Sequence, residues 1–581
     1  MKRSEKEDQS KINRRGFFQS IAASTVAGGL STILADRTIA QPVTVTSNPT
    51  NKLYSFDSAS NSESTFPQSV MSGGPTDTGA IIWTRIAEEA YQDGEPVGVQ
   101  VAKDTDFDQI VFKGVVDASK ISADSDYNVK VDLDGELQPN QFYYYRFIYG
   151  ETASQTGRLR TLPSSDQHID ELSFAVVTCQ DYQNGYYGAY YHIANESIDF
   201  VIHLGDFIYE SADGAYTSPT DSIKPGRDFE LPSGANLAES LADFRFLHKT
   251  YKSDTFLQET LEQHTVIAGW DDHEIGNNRY WDYTSDAPVL PAKENGSDPE
   301  RAIEITANGI QAWIEQMPMR IDYDPSKEEL HEQLQLWRQF EFGDLVDLVI
   351  TDERLYRDGP PCGNRTATCT NEDAPDRTMI GTEQKQWFTT AISESDAQWT
   401  TWANEVLTMP LSAGEDWYQV EFLHDSWDGF QAERAELMNA IEDASLQNFI
   451  TITGDLHCSL AGYQHAGYGD VSWDYDTVGI EFMTPSLTSV NAADVVDFPS
   501  DWDRKALAEI ATEENDHLEY VNWHKHGYSI IKFTEKDCTY TIYEVDKDEN
   551  SADARKQKLT KFRVPNGEFS LETEYTRFSE T

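Results

Sequence analysis

Two kinds of hydrophobic spacing divide the chain. Between about residues 66 and 163, apolar positions come in short runs or in alternation: Ala80-Ile81-Ile82-Trp83, Val97-Gly98-Val99-Gln100-Val101, then Tyr127, Val129, Val131 and Leu133, then Phe142 to Phe147. Alternation with period two predicts short strands, and a set of them separated by turn signals predicts a small β-sandwich. From about residue 170 short buried runs are followed by longer segments of helical period, which predicts α/β layers. The predicted strands are Phe174 to Val177, Phe200 to Leu204, Val266 to Ala268, Leu345 to Ile350, Thr401 to Val406 and Phe449 to Thr453. Helices are predicted over Leu237 to Tyr251, Glu300 to Met317, Thr382 to Ser393 and Gln431 to Asp443. Alternation returns after Tyr528 and ends in a closing tail.

The ends carry no such period. Residues 1–40 contain Arg14-Arg15-Gly16-Phe17-Phe18 ahead of a short, mildly apolar stretch from Ile21 to Leu34, and read as a twin-arginine export signal. That stretch is too short and too broken by Ser and Gly to span a bilayer, so no integral membrane contact is expected. The twin-arginine translocation machinery becomes an expected partner, and a periplasmic or extracellular destination follows. Residues 41–65, rich in Ser, Thr and Asn, read as a linker, with order beginning near Phe66.

Composition narrows the function. At 581 residues the chain exceeds one core, and its 39% hydrophobic and 12% aromatic content is that of a folded protein. The formal charge of −55 repels polyphosphate backbones, which disfavours a nucleic-acid-binding role. An enzyme for anionic substrates would need local positive charge, and metal ions supply it. Outside the cytoplasm Cys362 and Cys369, in one short loop, are expected to pair as a disulfide. Cys179, Cys458 and Cys538 are left unpaired by that reading.

Four predicted strands end in polar clusters, where ligands bind in open α/β folds. They are Thr178-Cys179-Gln180-Asp181, Gly205-Asp206-Phe207-Ile208-Tyr209-Glu210, Trp270-Asp271-Asp272-His273-Glu274-Ile275-Gly276-Asn277-Asn278, and Gly454-Asp455-Leu456-His457-Cys458. An Asp after a Gly is by itself an ordinary turn, and a strand-end Cys is by itself packing. Four such clusters in this order are specific.

The order resembles the dinuclear metal series of the calcineurin-like metallophosphoesterase superfamily, and more closely the PhoD-type alkaline phosphatases within it. The matching positions are Cys179, His203 to Glu210, Trp270 to Asn278, Thr351 to Arg357, Asp425 to Gly429 and Thr453 to His457, and the resemblance spans roughly residues 65 to 545. It implies an α/β (α+β) core of layered sheets flanked by helices over residues 166–545. A small immunoglobulin- or fibronectin-like β-sandwich over residues 66–165 precedes it, and residues 546–581 form a tail. It further implies an exported phosphatase releasing phosphate from small phosphate esters. A phospholipase D-like phosphodiesterase is the alternative on the same scaffold. A secreted calcium-binding structural protein is disfavoured, since a calcium scaffold has no use for Cys179, Tyr209 and His457.

A phosphate ester is hydrolysed most readily between two cations that share a carboxylate. Asp206 is the candidate bridge. Tyr209, three residues on, can reach the same cation through its phenol, and by the resemblance Cys179 and His457 complete a site for Fe(III). Asp272 and Asp455 stand where related dinuclear enzymes carry amide or imidazole ligands, and an all-oxygen shell favours one or two Ca2+ ions over zinc. Asn277 is a further candidate for that shell. Where the family shows an acidic residue before the Asn pair, this chain has Gly276. His273 is the candidate proton donor to the leaving alkoxide. Arg354 is the candidate grip on phosphoryl oxygens, with Asp425 and Trp427 shaping the site.

Overall fold

The structure, a computed structural model, describes residues 51–577 except 58–59, 219–221, 325, 328, 362–372, 413–423, 469–475 and 496–500, together with residues 42, 43 and 45. The leader with Arg14 and Arg15, and the Cys362–Cys369 pair, lie outside these residues.

Two large sheets face each other across a shared apolar layer. The first has ten strands, in the order Glu572–Thr576, Lys556–Pro565, Asp537–Val545, Gly527–Thr534, Glu171–Val177, Phe200–His203, Thr265–Ala268, Val70–Thr76, Gly79–Arg85 and Asn128–Asp132. The second has seven: Arg338–Phe342, Val346–Ile350, Trp399–Ala403, Phe449–Thr453, Thr477–Met483, Ser459–His465 and Leu518–Asn522. Phe174, Phe200, Ile202 and Ile531 from the first sheet pack on Phe342, Leu348, Ile450 and Phe482 from the second. Both faces of the central strands are buried, the outer one under helices, so these strands appear in the sequence as continuous apolar runs. The expected mixed α/β architecture is thus present.

The helices cover the outer faces. Pro299–Gln316 starts at Asp298, whose side chain accepts from Arg301 N–H, with Pro299 in the first turn. It buries Ile303, Ile310, Trp313 and Ile314. Leu241–Tyr251 begins with a capping box of Ser240 and Asp243. Gly381–Glu394 and Gln431–Ala444 pack on the second sheet through Phe388, Ile392, Leu437 and Ile441.

The N-terminal β-region shares a sheet with the core. Val70–Thr76 runs parallel to Thr265–Ala268, with Gly73 opposite Val266, so three N-terminal strands extend the ten-stranded sheet. A five-stranded sheet of Val97–Ala102, Ile110–Val116, Phe142–Tyr149, Thr152–Ala153 and Gly157–Arg160 closes over them. The sandwich core holds Val99, Val101, Phe147, Ile82, Val129 and Val131. Contacts also begin before Phe66: Tyr54 donates to the Gly114 carbonyl at 3.1 Å, and Phe56 stacks on the Arg146 guanidinium. Residues 556–565 and 572–576, expected as tail, are the last two strands at one side of the large sheet, with 572–576 at its edge. In the first of these, Lys556, Lys558 and Lys561 obscure the period that Phe562 and Val564 carry.

The last turn of Pro299–Gln316 is held from outside. Its terminal carbonyls lack intrahelical donors. Lys130 Nζ donates to Ile314 O at 2.6 Å, Trp83 Nε1 to Glu315 O at 3.0 Å, and Lys252 Nζ to Gln316 O. Among the described residues, no helix is long and apolar enough to cross a membrane.

Candidate metal centre

Register places the site. Phe200 lies opposite both Phe174 and Thr265, and His203 opposite both Val177 and Ala268, so three parallel strands end in line and deliver Cys179, Asp206 and Asp271 to His273 together. The second sheet ends beside them, and its strands deliver Arg354 and Asp455 to His457. Gly454 seals the join, where an added Cβ would lie 2.7 Å from Thr178 Oγ1.

The chain turns sharply at these ends. Cys179, Asp206, Asp455 and His457 all take φ between 53° and 63°, a region L-residues enter at a cost of about 1–3 kcal/mol each. Four strained candidate ligands at one place mark where tertiary structure dictates the backbone.

Asp206 lies at the centre. One ligand atom each from Cys179, Asp206 and His457 falls within 4.8 Å of the others, and so does one each from Asp206, Asp272 and His273. Asp206 belongs to both groups, as a bridge must. Tyr209 Oη donates to Asp206 Oδ2 at 2.7 Å and lies 3.2 Å from His457 Nε2. His457 Nδ1 lies 2.5 Å from the Val490 carbonyl, which fixes the proton there and leaves Nε2 bare toward the site. Cys179, Asp206, Tyr209, Asp272, His273 and His457 are therefore brought together.

Asp455, Arg354 and Asn277 are placed differently. Arg354 is fully buried and its guanidinium contacts Asp271, Asp425 Oδ2 at 2.5 Å and Asp455 Oδ1 at 2.6 Å. Asp455 thus faces Arg354. Arg357 shares Asp425 at 2.6 Å. Asn277 N–H donates to Glu210, and Asn278 N–H donates to Asp272 Oδ2 at 2.6 Å. Trp427 is buried and donates to Asn404 Oδ1.

Three acidic residues have roles that the motif reading did not assign. Glu210 Oε2 takes the Nδ1 hydrogen bond of His273 at 2.7 Å and orients the ring, which stacks on Tyr209 at 4.1 Å between centroids. Glu274 accepts backbone N–H groups of Asp206, Phe207 and Asp271, tying the two turns together. Asp271 faces Arg354. Glu210 and Glu274 close their motifs, at the ends of Gly-Asp-x-x-Tyr-Glu and Asp-Asp-His-Glu, which was the available signal.

The electrostatics call for cations. Burial pushes Asp206 well above the carboxylate range, with His273 opposing and Asp271 and Asp272 adding to it. Burial lifts Asp271 to about 7 and Asp455 to about 6 against the pull of Arg354. Burial raises Cys179 and Tyr209 well above their ordinary values, and Asp206 raises both further. Asp272 is also buried, but Arg354 and His273 outweigh that and hold it low. Buried ionised groups are costly unless paired or coordinating metal. Asp272 Oδ1 and Asp271 Oδ2 are buried with no hydrogen-bond donor among the described residues. A thiol, a phenol and an imidazole lie around one side of Asp206, and an orphaned carboxylate oxygen lies on the other, so the cluster offers groups that could hold metal ions.

Comparison with known proteins places the chain in a family. Residues 174–542 match the family model described as PhoD-like phosphatase, and residues 51–163 match its N-terminal domain. Alkaline phosphatase D of Bacillus subtilis (strain 168) is 32% identical over 526 residues, covering 89% of this chain and 82% of that protein. A solved structure described as "Structure of PhoD" superposes with a TM-score of 0.76 at 28% identity, over 90% of this chain and 94% of that one. The chain belongs to the PhoD-like phosphatase family and is a hydrolase.

Proposed function

We propose that this hydrolase is an exported, two-metal phosphatase that releases inorganic phosphate from small phosphate monoesters, with diesters as its second substrate class. Cys179, Tyr209 and His457 would hold Fe(III), Asp206 would be shared between the two sites, and Asp272 would hold calcium, with Asn277 and, once released from Arg354, Asp455 as further ligands. When bound, the cations supply Lewis acidity toward the phosphoryl oxygens and acidify an attacking water. His273 keeps its Nδ1 proton on Glu210 and presents Nε2 to the leaving alkoxide as proton donor. Burial would lower its pKa, but Glu210, Asp206 and Asp272 outweigh this and hold it above the ordinary histidine value, which favours a ring able to donate. Arg354 steadies Asp455 and Asp271, and it reaches phosphoryl oxygens only when Asp455 turns away. The twin-arginine leader sends the folded protein to the periplasm or beyond, by way of the translocation machinery.

The observation that carries this reading is the double membership of Asp206 in the two ligand groups. Asp206→Asn should lose both metals by elemental analysis and all turnover of an aryl phosphate. Asp213→Asn, where the carboxylate accepts from Ser211 Oγ at 2.9 Å, should keep both. An Asp206→Asn protein with full metal content would overturn the bridge. Rates on a monoester and a bis-ester dye decide the substrate order. Membership in a hydrolase family sets aside the calcium-scaffold reading.

A further inference from the structure

Tyr216 lies outside every metal motif, yet it packs directly against His273. The two rings meet edge to face, with centroids 4.5 Å apart and planes at 71°, and Tyr216 reaches the Tyr209 ring at 5.9 Å. Tyr216 Oη donates to Glu210 Oε1 at 2.8 Å, while Glu210 Oε2 takes the His273 Nδ1 hydrogen bond at 2.7 Å, so one carboxylate fixes both rings. The loop that carries Tyr216 is anchored on either side of it. Gly214 N–H donates to Gln183 Oε1 at 3.0 Å and Ser218 N–H to Asn184 Oδ1 at 3.3 Å, and Gln183 and Asn184 are themselves buried. Within the loop, Ala215 N–H donates to Ser211 Oγ at 3.2 Å and Thr217 Oγ1 to Gly214 O at 2.8 Å. Tyr209, Glu210 and His273 are buried, whereas Tyr216 is partly exposed, so its ring is the outer layer of the stack.

We propose that Tyr216 is a specificity-determining residue whose ring packs against the alcohol moiety of the substrate and selects phosphate esters of aromatic or other flat, apolar alcohols; this rests on the reading that His273 faces the leaving oxygen. The argument runs outward from His273. Its Nδ1 is engaged by Glu210, so the leaving oxygen is met at Nε2, and at a centroid separation of 4.5 Å a group carried there lies against the Tyr216 ring. The other partly exposed residues named at the site, Asn277, Asp455 and His457, present polar atoms, so the aromatic surface at the mouth comes from Tyr216. Contact between two rings adds attraction beyond the area they bury. The hydroxyl bond and the edge packing fix the Tyr216 ring before a substrate arrives, so little freedom is lost when it is covered.

The test uses the metal-loaded protein with phenyl phosphate and ethyl phosphate as substrates, and phenylphosphonate, methylphosphonate and inorganic phosphate as inhibitors. Tyr216→Ala should raise KM for phenyl phosphate roughly tenfold, with KM for ethyl phosphate, inhibition by inorganic phosphate and metal content nearly unchanged. Wild type should bind phenylphosphonate several-fold more tightly than methylphosphonate, and Tyr216→Ala should close that gap. Tyr216→Phe, which keeps the ring, should keep both the gap and the low KM for phenyl phosphate. Equal inhibition of wild type by the two phosphonates overturns the inference, and that measurement stands even where Tyr216→Ala fails to fold. A parallel loss toward phenyl phosphate, ethyl phosphate and inorganic phosphate in Tyr216→Ala also overturns it, because the ring would then only hold the site together. In both cases a wild-type protein that hydrolyses the two esters leaves the phosphatase reading standing. A wild-type protein that hydrolyses neither overturns that reading and this inference together.

Discussion

Replacing Lys130 with Met should invert its effect on stability between neutral and alkaline pH. The Lys130 ammonium is buried on the strand Asn128–Asp132 and donates to Ile314 O at the end of the helix Pro299–Gln316. Burial pulls its pKa from 10.5 down to about 7, only partly offset by Glu315. Below pH 7 both folded and unfolded chains hold this proton, and the folded state carries the whole cost of burying the charge. Between pH 7 and 10.5 the unfolded chain binds more protons than the folded one, so stability rises with pH through that window. At about 1.36 kcal/mol per unit the full swing is on the order of 4–5 kcal/mol. The Met variant lacks the swing and leaves Ile314 O without its donor, at a cost of about 1–3 kcal/mol. The variant should therefore match or exceed wild type near pH 7 and fall below it by a few kcal/mol near pH 10. Urea unfolding midpoints of both proteins at the two pH values measure this directly. Lys252, which caps Gln316 above the Trp83 ring at 4.1 Å, is common to both proteins; burial holds its pKa down in each, and the variant removes only the smaller contribution of the Lys130 charge. Parallel pH profiles would refute the reasoning, because they would mean that Lys130 keeps an ordinary, hydrated ammonium.

Further outcomes follow from the same geometry. Gly205 has φ +139°, and an added Cβ would sit 2.5 Å from Asp271 N, so Gly205→Ala should destabilise by about 2–4 kcal/mol and lower metal content, as read by calorimetry and elemental analysis. Glu210→Gln should cut kcat roughly 10–100-fold with KM nearly unchanged, because it frees the His273 ring without touching the metals; an equal effect on KM would argue against an orienting role. Replacing both Arg14 and Arg15 with Lys should leave folded, active protein in the cytoplasm on cell fractionation, and export surviving that change would sink the twin-arginine reading.

The central strands were legible because burial on both faces leaves uninterrupted apolar runs, as in Phe449–Thr453, ending abruptly in polar residues. Their division into two sheets was not legible. Phe174 and Ile450 look alike in sequence, and which strands pair is settled by contacts between distant segments. The same limit explains Asp455: nothing local announces that Arg354, 101 positions away, binds its carboxylate. Motif spacing found Cys179, Asp206, Tyr209 and His457 because each follows its strand by a few residues. Val490 carries no period and no motif, and its role comes from a loop pinned across Thr178 and Thr453. The N-terminal strands were read correctly as strands, but alternation in Val129 and Val131 says nothing about which neighbour takes their sheet edge.

The proposed function rests on two unlike cations sharing Asp206. Elemental analysis of the protein folded and exported by its own host measures this most directly. It should find one iron per chain together with one or two calcium ions, in a coloured protein that loses calcium to mild chelation and keeps its iron. Two zinc ions in a colourless protein would contradict the assignment of Cys179, Tyr209 and His457 to a trivalent ion.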